Sequence, residues 1–86
     1  MAAVTGRIRV RFFARYAELV GREETALAVA LPATVGEVVR RGRAELPGAH
    51  GIPERPLIAL NLRHVRADAP LSDGDEVALL PPMAGG

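Results

Sequence analysis

"TVGEVVRRGRAEL", residues 34–46, is the main stretch of the chain with helical periodicity. Val35, Val38, Val39, Gly42 and Leu46 recur at three- and four-residue spacing, so they share one apolar stripe of a helix. Thr34 followed three residues later by Glu37 reads as a capping box, in which each side chain satisfies an otherwise orphan backbone N–H of the first turn. Gly42 costs about 1 kcal/mol relative to Ala in a helix interior, and is read as a close-packing point against a sheet. The opposite face carries Arg40, Arg41, Arg43 and Glu45 and reads as solvated.

Upstream of this helix the period changes to two. "RIRVRF", residues 7–12, puts Ile8, Val10 and Phe12 on one face and Arg7, Arg9 and Arg11 on the other, the pattern of a half-buried strand. Phe13 breaks the alternation by placing an aromatic on the arginine side; it either packs under a neighbouring loop or binds a partner. Tyr16 to Val20 reads as a short helical turn ended by Gly21. "ETALAVAL", residues 24–31, alternates again with Leu27, Val29 and Leu31 inward, and the spacing makes it an antiparallel return strand stopped by Pro32.

Downstream, "PGAHGIPERP", residues 47–56, holds three prolines and two glycines and marks an irregular loop. "LIALNL" is a third strand, turned near Asn61 into a short fourth, "RHVRA", which carries His64. Ser72-Asp73-Gly74-Asp75 is a turn signal, Gly74 supplying positive φ. Glu76 to Leu80 is then a final strand with Val77 and Leu79 facing in. Strand, strand, helix, strand, short strand and final strand form an α+β domain of the β-grasp, ubiquitin-like kind. About five strands make a mixed sheet, one main helix covers one face, and the first and last strands run parallel at the centre. The domain is assigned to residues 1–80, and residues 81–86 form a flexible extended C-terminal Gly-Gly tail.

The 86 residues contain no cysteine, which excludes a disulfide, a thiolate metal site and a cysteine nucleophile on this chain. A net charge of +1 and only three aromatic residues, Phe12, Phe13 and Tyr16, argue against a nucleic-acid partner. All eleven basic residues are arginine, so the chain offers no lysine for isopeptide chain building. No apolar stretch approaches the roughly 20 residues of a membrane span, and the N-terminus does not read as a secretory signal; a cytoplasmic protein with no membrane partner is expected.

Side-chain chemistry is sparse. His50 and His64 are two scattered histidines rather than a ligand cluster, so no metal site is expected. Asp68, Asp73 and Asp75 read as turn formers, since a calcium loop would need a later glutamate. What stands out is the ending "LLPPMAGG", residues 79–86. Gly85 and Gly86 remove every side chain from the approach to the terminal carboxylate, so the end is able to thread a narrow channel. Pro81 and Pro82 stiffen its base, and Leu80 to Gly86 spans roughly 23 Å when extended. Pro81, Pro82, Met83, Ala84 and Gly85 thus read as a threading arm and Gly86 as the bearer of the reacting carboxyl group. Phe13 and Leu80 each follow an inward residue on neighbouring strands, so they are expected to project together from the sheet face away from the helix as a partner surface bordered by His64.

"LSDGDEVALLPPMAGG" and "RVRFFARYAELVG" resemble the MoaD family, the small, ubiquitin-like sulfur-carrier subunits of molybdopterin synthase, over nearly the whole chain from Ile8 to Gly86. The resemblance implies that an E1-like activating enzyme uses ATP and Mg²⁺ to adenylate the Gly86 carboxylate. A persulfide sulfur donor then converts it to a thiocarboxylate. It implies insertion of the tail into a large subunit within a heterotetramer, where sulfur passes to cyclic pyranopterin monophosphate. The catalytic side chains then belong to the large subunit, and this chain itself binds no cofactor. At His64 the family often has an apolar residue. Related carriers for thiamine or cysteine synthesis and archaeal-type protein modifiers share the Gly-Gly ending, and a β-grasp interaction module that carries nothing is the reading from a different class.

Overall fold

The computed structural model describes residues 4–82. Five strands, β1 (Val4–Phe12), β2 (Glu24–Leu31), β3 (Leu57–Leu60), β4 (Arg63–Val65) and β5 (Glu76–Leu80), form one sheet in the order β2-β1-β5-β3-β4. β1 and β5 are parallel neighbours, and the other pairs are antiparallel. With α1 (Arg15–Val20) and α2 (Val35–Glu45), this is the β-grasp topology expected from the order of periodic segments.

The alternation places Ile8, Val10 and Phe12 of β1 on the covered face, with Val77 and Leu79 of β5, Leu27 and Val29 of β2, and Ile58 of β3. Val35, Val38 and Val39 of α2 close over them, and all are buried. Each such aliphatic side chain contributes roughly 1.5–3 kcal/mol when fully buried, so the sheet-to-helix layer supplies most of the stability. β1 begins at Val4, before the arginine alternation starts, because pairing with β2 continues from Arg11↔Glu24 out to Val4↔Leu31. Gly6 leaves room there for the Leu31 side chain, whose Cδ1 would stand 2.6 Å from an added Cβ.

α1 ends at Gly21, whose φ of 80° lets its N–H reach the Ala17 carbonyl at 2.8 Å. α2 is capped by Thr34, whose hydroxyl accepts from Glu37 N–H at 3.3 Å. Among the described residues only this half of the capping box forms; no return bond from the Glu37 side chain accompanies it.

Two readings of α2 change. Gly42 is buried, but outside the local helix backbone a Cβ there would meet only Leu46 Cδ1, at 3.8 Å. No sheet atom presses on that position, so its small size is not dictated by close packing. The arginine face is also not simply solvated. Arg43 Nε donates to the Ile52 carbonyl at 2.7 Å, anchoring the 47–56 loop, which contains one 3₁₀ turn at Ala49–Gly51. Arg41 donates to the Ala28 carbonyl of β2.

The turns are built from the acidic and amide residues expected of them. Asp73 Oδ1 accepts from Arg7 N–H at 2.8 Å and Asp75 Oδ2 from Ser72 N–H at 2.7 Å, with Gly74 at φ 88°. Asn61 and Leu62, at φ 49° and 72°, form the two-residue β3–β4 connection. The Asn61 side chain accepts from Glu76 N–H at 2.9 Å and donates to Asp75 Oδ1 at 3.0 Å, so one amide ties that turn to the start of β5.

Candidate functional site

Among the described residues no second layer covers the sheet face away from α2. Its centre is a floor of two alanines, Ala59 and Ala78, directly paired across β3 and β5. They are only 8% and 5% exposed because longer neighbours rise around them. At the end of the sheet where β5 stops, Leu80 pairs with Leu57, which is 46% exposed. Phe13 follows Phe12, which is in register with Leu79, and so lies beside Leu80 in sequence register.

Phe13 is half-buried, and the Arg11 guanidinium carbon lies 5.0 Å from its ring centroid, a cation–π stack. Arg11 Nη1 also reaches Glu76 Oε1 at 3.4 Å. Arg9 meets both Glu24 and Glu76 at 3.6 Å, so an alternating row of charges crosses β2, β1 and β5 beside the apolar patch. Exposed pairs of this kind each contribute little to stability; their effect is to neutralise the arginines and leave the patch as the distinctive feature.

His64 is exposed on β4 opposite Ala59, which pairs in turn with Ala78. It borders the alanine floor on the side away from Phe13. Pro81 and Pro82 follow β5 directly, half-buried and exposed respectively. Met83, Ala84, Gly85 and Gly86, assigned to the threading arm and the reacting terminus, lie outside the described residues.

Two residues of this face escaped the sequence reading. Leu57 was hidden because "LIAL" is apolar on both faces; its position one residue before inward Ile58 was the available signal. Leu62 is 83% exposed at positive φ and borders a cleft of about 290 Å³ with Arg11, Asn61 and Glu76. Nothing in the local sequence marks a leucine for a left-handed conformation. Among the described residues no group of three or more His, Asp or Glu is placed to hold a metal ion, and no helix is long and apolar enough to cross a membrane.

The family model described as the ThiS family matches residues 10–86, nearly the entire chain. The chain belongs to the ThiS family. It is 39% identical over 82 residues to a protein of Escherichia coli K12 named molybdopterin synthase sulfur carrier subunit, covering 92% of this chain and 99% of the relative. It is 36% identical over 91 residues to small archaeal modifier protein 3 of Haloferax volcanii, covering 92% of this chain and 98% of that one. A solved complex of subunits 1 and 2 of the molybdopterin-converting factor from Helicobacter pylori contains a chain that is 30% identical, with a TM-score of 0.65 and coverage of 93% of this chain and 99% of that chain. The MoaD likeness read from the terminal motifs thus agrees with relatives matched over nearly their full lengths.

Proposed function

We propose that this ThiS-family chain is the sulfur-carrying small subunit of a molybdopterin synthase, acting through the terminal carboxylate of Gly86. The observation that carries the reading is the 39% identity to a sulfur carrier subunit over 99% of that relative's length. The patch of Phe13, Leu57 and Leu80 supports it, because it adjoins Pro81 and Pro82 at the exit of β5. A large subunit gripping that face receives the tail at its edge, and His64 adds a polar border. The pairing of two subunits in the Helicobacter pylori complex is the precedent for such a partner, here within a heterotetramer.

The chemistry follows from the poverty of side chains. A carboxylate is a poor electrophile, so an E1-like enzyme with ATP and Mg²⁺ first makes the acyl-adenylate and releases pyrophosphate. A persulfide donor attacks the carbonyl carbon and displaces AMP. A thiol then attacks the donor-side sulfur of the resulting acyl disulfide, so that the donor leaves as a disulfide and the outer sulfur stays on the carbonyl carbon as a thiocarboxylate. In the synthase that sulfur passes to cyclic pyranopterin monophosphate, with the proton-handling side chains supplied by the large subunit. The body to Leu80 is the recognised handle and residues 81–86 are the arm; the cycle belongs in the cytoplasm.

Incubation with a competent activating enzyme, ATP and a sulfur source, read by intact mass, tests this directly. The expected result is replacement of one oxygen by sulfur at the terminus, abolished by deletion of Gly86 with the fold unchanged. An unaltered mass beside a positive-control carrier overturns it. The 36% identity to a small archaeal modifier favours one second reading, in which the same activated carboxyl is passed to a lysine amine of another protein. Covalent conjugates surviving denaturation would select that reading, and transfer to the pterin precursor would select the first.

A further inference from the structure

β2 is an edge strand eight residues long, and its outward backbone groups can be assigned. Phe12 N–H donates to the Glu23 carbonyl at 2.8 Å. By the alternation of an antiparallel ladder, Thr25, Leu27 and Val29 therefore bond to β1, while Ala26, Ala28 and Ala30 turn their N–H and C=O groups away from it. Among the described residues a single hydrogen bond reaches these outward groups, from Arg41 Nη1 to the Ala28 carbonyl. Arg41 is held in place by Glu45, with Nε to Oε2 at 2.9 Å and Nη2 to Oε1 at 3.2 Å.

The rest of the edge lacks the usual protections. Residues 25–31 carry no charge and no proline, and Ala26, Ala28 and Ala30 are exposed. "ALAVA", residues 26–30, is also nearly palindromic about Ala28. An antiparallel copy centred there sets Ala28 opposite Ala28, Ala26 opposite Ala30, and Leu27 opposite Val29. Small residues then meet on the outer face and aliphatic ones on the helix face, without a like-charge encounter.

We infer that the β2 edge is a strand-addition site for a second copy of this chain, two-fold about Ala28, and that the Arg41–Glu45 pair gates it by occupying the central carbonyl. Pairing there joins two five-stranded sheets through their β2 edges and leaves the Phe13, Leu57 and Leu80 patch, on β5 and its neighbours, uncovered.

Sedimentation equilibrium across a wide concentration range tests the gate. Arg41→Ala is expected to strengthen self-association by about tenfold or more, and Glu45→Ala to do so more weakly. Adding Ala28→Pro to Arg41→Ala should return the protein to wild-type behaviour, because the proline removes an outward N–H that β1 does not use. Circular dichroism and thermal melts check that each variant folds. The inference is overturned if folded Arg41→Ala associates no more than wild type. It is equally overturned if Ala28→Pro fails to reverse the association, if Leu57→Arg reverses it instead, or if the species exceeds a dimer.

Discussion

Leu57 and Leu80 are direct partners across the antiparallel β3–β5 pair, on the uncovered face of the sheet and at the end from which Pro81 and Pro82 depart. Neither side chain contributes to the buried cluster beneath α2, so a contribution to stability does not explain them.

Leu57→Ala and Leu80→Ala are therefore each expected to weaken binding of the large subunit by about 1–3 kcal/mol while leaving the thermal midpoint close to wild type. Isothermal titration calorimetry beside a melting curve reads both. Phe13→Ala should behave similarly, with a smaller loss if its stack on Arg11 holds the ring mainly within the monomer. Unchanged affinity for all three would remove the patch from the interface.

Gly48→Ala should destabilise the domain by about 3 kcal/mol. The residue has φ 82°, and an added Cβ would lie 1.9 Å from the Leu19 carbonyl oxygen, so left-handed strain and a backbone collision combine. Urea unfolding measures the loss; a shift of a few tenths would mean that the α1 end retreats easily from the loop.

Gly42→Ala is expected to do the reverse. With Leu46 Cδ1 at 3.8 Å as the nearest neighbour outside the local helix backbone, the methyl fits, and the helix gains about 0.5–1 kcal/mol from the lower entropy of its unfolded chain. A lower midpoint in the same urea titration would restore the close-packing reading.

Leu62→Gly separates strain from recognition. Relief of the positive φ at the second turn position should stabilise the fold by about 1 kcal/mol. If the exposed leucine is also a partner contact beside Arg11 and Glu76, the same variant binds the large subunit more weakly. Higher stability with unchanged affinity assigns Leu62 to the turn alone.

The strands and α2 were legible because each carries its period in the chain itself: two for "RIRVRF" and "ETALAVAL", nearly four for Val35, Val38, Val39 and Gly42. The Asp73-Gly74-Asp75 turn was legible for the same local reason, since Asp bonds nearby backbone and Gly accepts φ 88°. Leu57 was not, because an apolar residue in a strand apolar on both sides has no sign of which face lacks a cover. Gly42 misled because the same residue type serves close approach and mere tolerance, and only neighbouring atoms distinguish them.

The β-grasp order of elements and the family likeness of the terminal motifs could be read from the chain alone. Each depends on residue type and spacing along one chain. Three features emerge only on folding: Leu57 completes the Leu80 patch, Arg43 fastens the 47–56 loop, and Arg41 bonds the central carbonyl of the β2 edge. These are through-space relations between distant segments, fixed by strand register and by where α2 crosses the sheet, and no local pattern encodes them.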